Sequence, residues 1–315
     1  MTVYGALDIG GTKIAGALLD GEGRLLARAQ RATPATRPAA DLAAVVMGVL
    51  DELATHPAWD ELSCMGIASA GPVDTVAGTV SPVNIPGRRG FPLVDLVRTH
   101  SRLPPGILPV PVGDAVAMTA AEHWLGAARG CENALCMVVS TGVGGGLILD
   151  GRVHAGRTGN AGHIGHITVD HEGPRCVCGA PGRVESLASG TAIAAHARAL
   201  GWTAGPGVPP NAAAARAGDE RALAAHRRAA RALAAATAAT AALVELERVV
   251  IGGGVAQAGD ILFSPLRQYV NDYAVLGFTR GIPIVPAGLA LDAGLVGAAA
   301  TASARAASPA GIPHF

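Results

Sequence analysis

The chain has 315 residues; half are hydrophobic but only 3% are aromatic, and its 24 basic and 24 acidic side chains cancel. That length allows two domains, and zero net charge argues against a nucleic-acid groove or an anionic membrane surface as the main partner. Five cysteines, an odd number with no export signal in view, are expected to be reduced thiols of the cytoplasm.

In chain order, residues 3–9, 14–19 and 25–31 read as three strands, with Asp20-Gly21-Glu22-Gly23 as the turn between the last two. Residues 41–53 have helical periodicity, 62–69 form a short apolar strand, and 78–81 are a candidate for another. A helix is expected over 93–99, a strand over 110–113 and a helix over 115–125; strands return at 134–140 and 146–149. Residues 151–190 are irregular and rich in Gly, His and Cys. Helices dominate 191–246, then a strand at 248–251 and helices at 265–273 and 296–304. The most apolar helical run, 229–246, carries Arg231 and Glu245 and reads as a buried soluble helix, not a membrane span. Strand, glycine turn, strand occurs twice, at 3–19 and 134–149, which suggests two similar α/β units.

Both glycine turns carry polar groups suited to phosphate. In the first, Asp8 ends a strand ahead of Gly10-Gly11-Thr12-Lys13. Glycine lets backbone N–H groups approach a phosphate closely, Asp8 suits Mg²⁺ or its water, and Thr12 offers a hydroxyl. Lys13, the only lysine of the chain, offers a compact charge; the alternative is an exposed residue without a role. The second turn, Ser140-Thr141-Gly142-Val143-Gly144-Gly145-Gly146, has hydroxyls and glycines without the acid. An ordinary hairpin and tight backbone packing account equally well for either turn alone. Neither fits the P-loop or Rossmann patterns.

Taken together, the motifs resemble those of the ROK family (repressors, open reading frames, sugar kinases). The resemblance rests on Asp8–Lys13, Gly71-Pro72-Val73, Ser81 to Gly87, Gly113-Asp114-Ala115, Thr141 to Gly146, Gly162-His163-Ile164-Gly165-His166, Cys176-Val177-Cys178-Gly179, Glu185 and Ile251 to Gly254. It implies a two-lobed actin/hexokinase-like (ribonuclease H-like) α/β fold, with residues 1–112 and 296–315 in a small lobe, 113–295 in a large one, and an active-site cleft between them. It implies ATP and Mg²⁺ as cofactors, a sugar-like substrate and a homodimer; zero net charge, not the resemblance, is the ground for expecting no nucleic-acid or membrane partner. The phosphate-binding residues would be Asp8, Gly10, Gly11, Thr12, Lys13, Thr141, Gly142 and Gly144, with Gly253 and Gly254 against adenosine. Asp114 would be the general base, its bland alternative being the N-cap of the following helix. Gly71, Asn84, Gly113, His163, His166 and Glu185 would bind the sugar.

Three residues depart from the family pattern. Gly113 stands where the family has Asn, and His163 where its sugar kinases have Glu. Arg183 replaces the last cysteine of a zinc knuckle, leaving His166, Cys176 and Cys178, with His163 or His171 as a conceivable fourth ligand and free thiols as the alternative. A pocket so altered is expected to prefer a variant hexose, an amino sugar or a C7-cyclitol. An inactive sugar-binding or regulatory protein and a plain glucokinase are the competing readings.

Overall fold

The computed structural model describes residues 1–34, 39–81, 89–203, 212–289 and 292–307; Asn84 lies outside them. The elements are β1 (Val3–Ile9), β2 (Lys13–Asp20), β3 (Leu25–Ala32), α1 (Ala39–Leu53), β4 (Leu62–Ser69), β5 (Val73–Asp74), β6 (Thr79–Val80), α2 (Leu93–Arg98), β7 (Pro109–Gly113) and α3 (Asp114–Trp124). They continue with β8 (Ala134–Val139), β9 (Val143–Leu149), β10 (Arg152–His154), α4 (Val184–Ala188), α5 (Gly190–Ala199), α6 (Ala212–Arg216) and α7 (Glu220–Val244). Last come β11 (Arg248–Gly252), α8 (Asp260–Tyr273), β12 (Ile284–Pro286) and α9 (Ala293–Ala307). Among the described residues no helix is long and apolar enough to cross a membrane.

The chain divides into two compact units. The first comprises Met1–Arg129, Val153–Ala161 and Gly288–Phe315; the second comprises Gly130–Arg152 and Gly162–Ala287. Where the sequence suggested a boundary at residue 112, α3 goes with the first unit. The buried alanines Ala117, Ala121, Ala298 and Ala299 let α3 pack closely on α9.

The first unit is built on a sheet of order β3-β2-β1-β4-β7. The tight 10–13 turn makes β1 and β2 antiparallel. The route from β1 to β4 runs through α1 and makes those two parallel. β2 is buried along nearly its whole length, whereas edge strand β3 is mostly exposed. The core gathers Leu7, Ile14, Leu18, Leu50, Trp59 and Ile67, and the Trp59 Nε1–H donates to the Arg102 carbonyl at 2.6 Å.

The second unit repeats the pattern, with the order β10-β9-β8-β11-β12. β8 and β9 are antiparallel; β11 is parallel to β8, and β12 to β11. Alanines line the buried face of α7, so that α8, α4 and α5 pack against it at short range. Helix α8 starts at Asp260, five residues before the expected Pro265. A proline is a good first helical residue, but here it sits inside the helix and only removes one N–H from the ladder.

Candidate active site

In the first unit, β1 carries Asp8 into the 10–13 turn. The Gly10 N–H donates to the Lys13 carbonyl at 3.0 Å, and the Thr33 hydroxyl donates to the Gly10 carbonyl at 2.7 Å, so the turn is pinned from below. Gly11 is exposed, its φ is not positive, and a Cβ there would meet nothing within 4 Å. Neither conformation nor packing requires glycine at that position, and the open space is what a closely approaching ligand needs.

Asp8 is half-buried, against the first turn of α9. A Cβ on Gly294 would overlap its carboxylate, so only glycine admits this approach. No hydrogen bond reaches the Asp8 carboxylate among the described residues. Burial first, then the nearby charges of Asp114 and Asp292, push its pKa up to about 6 against the opposing pull of Lys13. Lys13, half-buried, thus acts electrostatically on the acid beside it.

β7 delivers the second acid. Gly113 is the helix N-cap and Asp114 the first residue of α3, so Asp114 does not cap the helix. Its Oδ1 accepts the Ala115 N–H at 2.7 Å, and the residue is exposed. Gly113 has ordinary extended angles (φ −65°, ψ 144°), and a Cβ there would meet nothing within 4 Å. Gly71 precedes Val73, whose N–H and carbonyl are both held by the Asn160 side chain, at 3.1 and 2.7 Å.

In the second unit, the turn after β8 is tied down by neighbours. The Gly190 N–H donates to the Ser140 carbonyl at 2.7 Å, and the Thr191 hydroxyl donates to the Thr141 carbonyl at 3.0 Å. Short helix α4 brings Glu185 under the turn, where Oε2 accepts the Val143 N–H at 2.9 Å beside Gly142. Glu185 is therefore a support of the 140–143 turn as well as a candidate sugar ligand. Gly253 and Gly254 lie against Val139 and Ser140, so the expected adenosine stretch adjoins the same turn. Gly145 and Gly146 pack tightly against Ile164 and Gly162, which favours the packing account for that end of the glycine run. The rings of His163 and His166 stack with centroids 5.9 Å apart.

The zinc question turns on the same corner. Donor atoms of His166, Cys176 and Cys178 lie within 4.8 Å of one another, and neither His163 nor His171 joins them. Cys176 Sγ is 3.7 Å from Glu185 Oε1. Arg183 donates through Nη1 to the His166 carbonyl, its Nε is buried without a partner, and its charge acts on the Cys178 thiol. Three donors with a guanidinium at the fourth place do not fit a closed structural zinc site.

Two residues escaped the sequence reading. Asn160 sits in a glycine-rich loop where nothing marked it, although the amide of a Gly-Asn-Ala-Gly run is suited to clamping a backbone. Glu122 is fully buried in α3; it accepts N–H groups from Ala127, Gly288 and Leu289 at 2.7, 3.0 and 2.8 Å.

Two sheets of one strand pattern, each opening on a glycine turn, define the actin/hexokinase-like class of α/β fold. The chain belongs to the ROK family, whose sequence pattern it matches over residues 4–305. It is 33% identical to a glucokinase of Thermotoga maritima over 314 residues, covering 95% of this chain and 96% of that one. It is 36% identical to an N-acetylmannosamine kinase of Yersinia pseudotuberculosis over 303 residues, covering 95% and 98%. A ROK glucokinase from Streptomyces griseus, crystallised with glucose and AMPPNP, superposes with a TM-score of 0.79 at 32% identity, covering 96% of this chain and 99% of that one.

Proposed function

We propose that the protein is an ATP-dependent kinase that phosphorylates a primary hydroxyl of a sugar or sugar-like ring. The observation that carries this reading is a pair of acids that one sheet brings within electrostatic reach of each other: Asp8, half-buried near the end of β1 beside an open glycine turn, and Asp114, exposed at the start of α3 after β7, the second strand over from β1. The named activities of the relatives support it. Asp114 takes the proton of the attacking hydroxyl. Asp8 supplies negative charge for magnesium, which would neutralise the phosphate oxygens when bound. The 10–13 and 141–144 turns hold phosphate oxygens through backbone N–H groups, Thr12, Lys13 and Thr141.

The sugar site of this reading contains His163, His166, Gly113, the backbone at Gly71, and Asn84. Imidazole replaces a carboxylate at 163 and empty space replaces an amide at 113, which favours a ring other than plain glucose: an amino sugar, a variant hexose or a C7-cyclitol. The N-acetylmannosamine kinase relative supports an amino sugar. We infer further that the 176–183 loop closes without zinc, through the Arg183 to His166 contact.

The decisive variant is Asp114→Asn. Phosphorylation of glucose and N-acetylmannosamine is expected to fall by about 10²–10⁴-fold while AMPPNP affinity stays within about twofold. Unchanged turnover would remove the base from the reading.

A further inference from the structure

A cavity of about 230 Å³ lies within the first unit, along edge strand β7, and belongs to neither glycine turn. Val94, Leu108, Val110 and Pro111 give it apolar walls. Two arginines are among its lining residues, Arg98 at the end of α2 and Arg305 in the last turn of α9, together with Thr75 and Thr301, the latter's hydroxyl donating to the Gly297 carbonyl at 2.8 Å. Arg98 meets Asp95 at 3.7 Å with both side chains largely exposed, a pairing too weak to quench the charge.

Apolar walls with two basic side chains among the lining select an amphiphilic anion. The size is also selective: a cavity of about 150 Å³ takes benzene, so this one admits a body of one or two fused rings. Its walls have a second property. Strand β7 runs from the cavity directly into Gly113 and Asp114; Thr75 lies two residues beyond the clamped Val73, near Gly71; and Gly156 and Gly159 lead into Asn160, the clamp itself.

We propose that this cavity is an effector site for a small organic carboxylate with a compact apolar body, and that its occupation is felt at the sugar site through β7 and the Asn160 clamp. The binding half stands on the cavity alone; the coupling half rests on the kinase reading.

The test titrates the intact protein with 2-naphthoate, and with 2-naphthamide as its neutral counterpart, by calorimetry or ligand-observed NMR. Saturable binding at roughly 1 mM or tighter is expected for the carboxylate, and binding about tenfold weaker for the amide. Arg98→Ala with Arg305→Ala, both surface changes, is expected to weaken naphthoate about tenfold, and Val110→Trp to abolish its binding by filling the space. Equal affinity for acid and amide, indifference to the arginine variant, or no saturation overturns the site. The KM for N-acetylmannosamine or glucose is then measured with saturating naphthoate; a shift of about twofold or more is expected, and an unchanged KM overturns the coupling. A protein that phosphorylates neither sugar fails the kinase reading, while the titration still decides the site.

Discussion

Asp8 holds a charge where the protein alone would rather not. Its pKa of about 6 against an ordinary 3.8 means that the folded state binds the proton more tightly than the unfolded chain does. Stability from this group is therefore full below pH 4 and is lost as pH rises towards 6; at neutral pH the ionised carboxylate costs about 3 kcal/mol. Asp8→Asn is expected to raise Tm by about 5 °C at pH 7.5, to give little gain at pH 4, and to lose kinase activity. Differential scanning calorimetry at the two pH values checks this, and a variant that is less stable at pH 7.5 contradicts it. The sequence exposed the position of Asp8 but not this cost, because the burial and the Asp114 and Asp292 charges come from segments over a hundred residues away. Lys13 was left open for a different reason: the sequence placed it in the same turn as Asp8 but did not show that its charge acts on that acid.

At the scale of elements, helix α3 links Asp114 at one end to a buried staple near the other. Glu122→Ala would leave three N–H groups without their acceptor and open a void, an expected loss of about 3 kcal/mol or more in urea unfolding. Faster amide exchange at Gly288 and Leu289 should accompany it, and a loss below about 1 kcal/mol would show that the staple is not needed. Nothing in the sequence singled out Glu122, because an acid in an alanine-rich helix reads as a solvent-facing residue. The 163–185 segment is a second element whose chemistry was only half legible. Its histidines and cysteines were visible, but the placing of Arg183 on the His166 carbonyl and of Glu185 under the Val143 N–H was not. Metal analysis of purified protein is expected to find less than about a tenth of an equivalent of zinc, with Tm unmoved by chelation. A full equivalent, with Tm falling on chelation, would return the loop to the zinc class.

For the whole molecule, the sequence disclosed strand and helix order well because the long strands are continuous apolar runs and the turns carry glycine. It missed the short elements β5, β10, β12 and α4, and misjudged where α8 begins, because proline is a stronger start signal than the Gly259-Asp260 step that the chain uses. The unit boundary also moved. Residues 114–129 follow a strand end and invite a cut there, but α3 buries alanines against α9, a helix nearly two hundred residues further on. Side-chain size decided that contact, and periodicity cannot foresee it.

The two sheets open on comparable hairpins, yet Asp8 has no acidic counterpart near the end of β8, where Val138, Val139 and Ser140 stand. On the reading proposed above, only the first hairpin brings a carboxylate that could hold a divalent cation, while the second offers hydroxyls and bare amides; doubling the strand pattern has not doubled the chemistry.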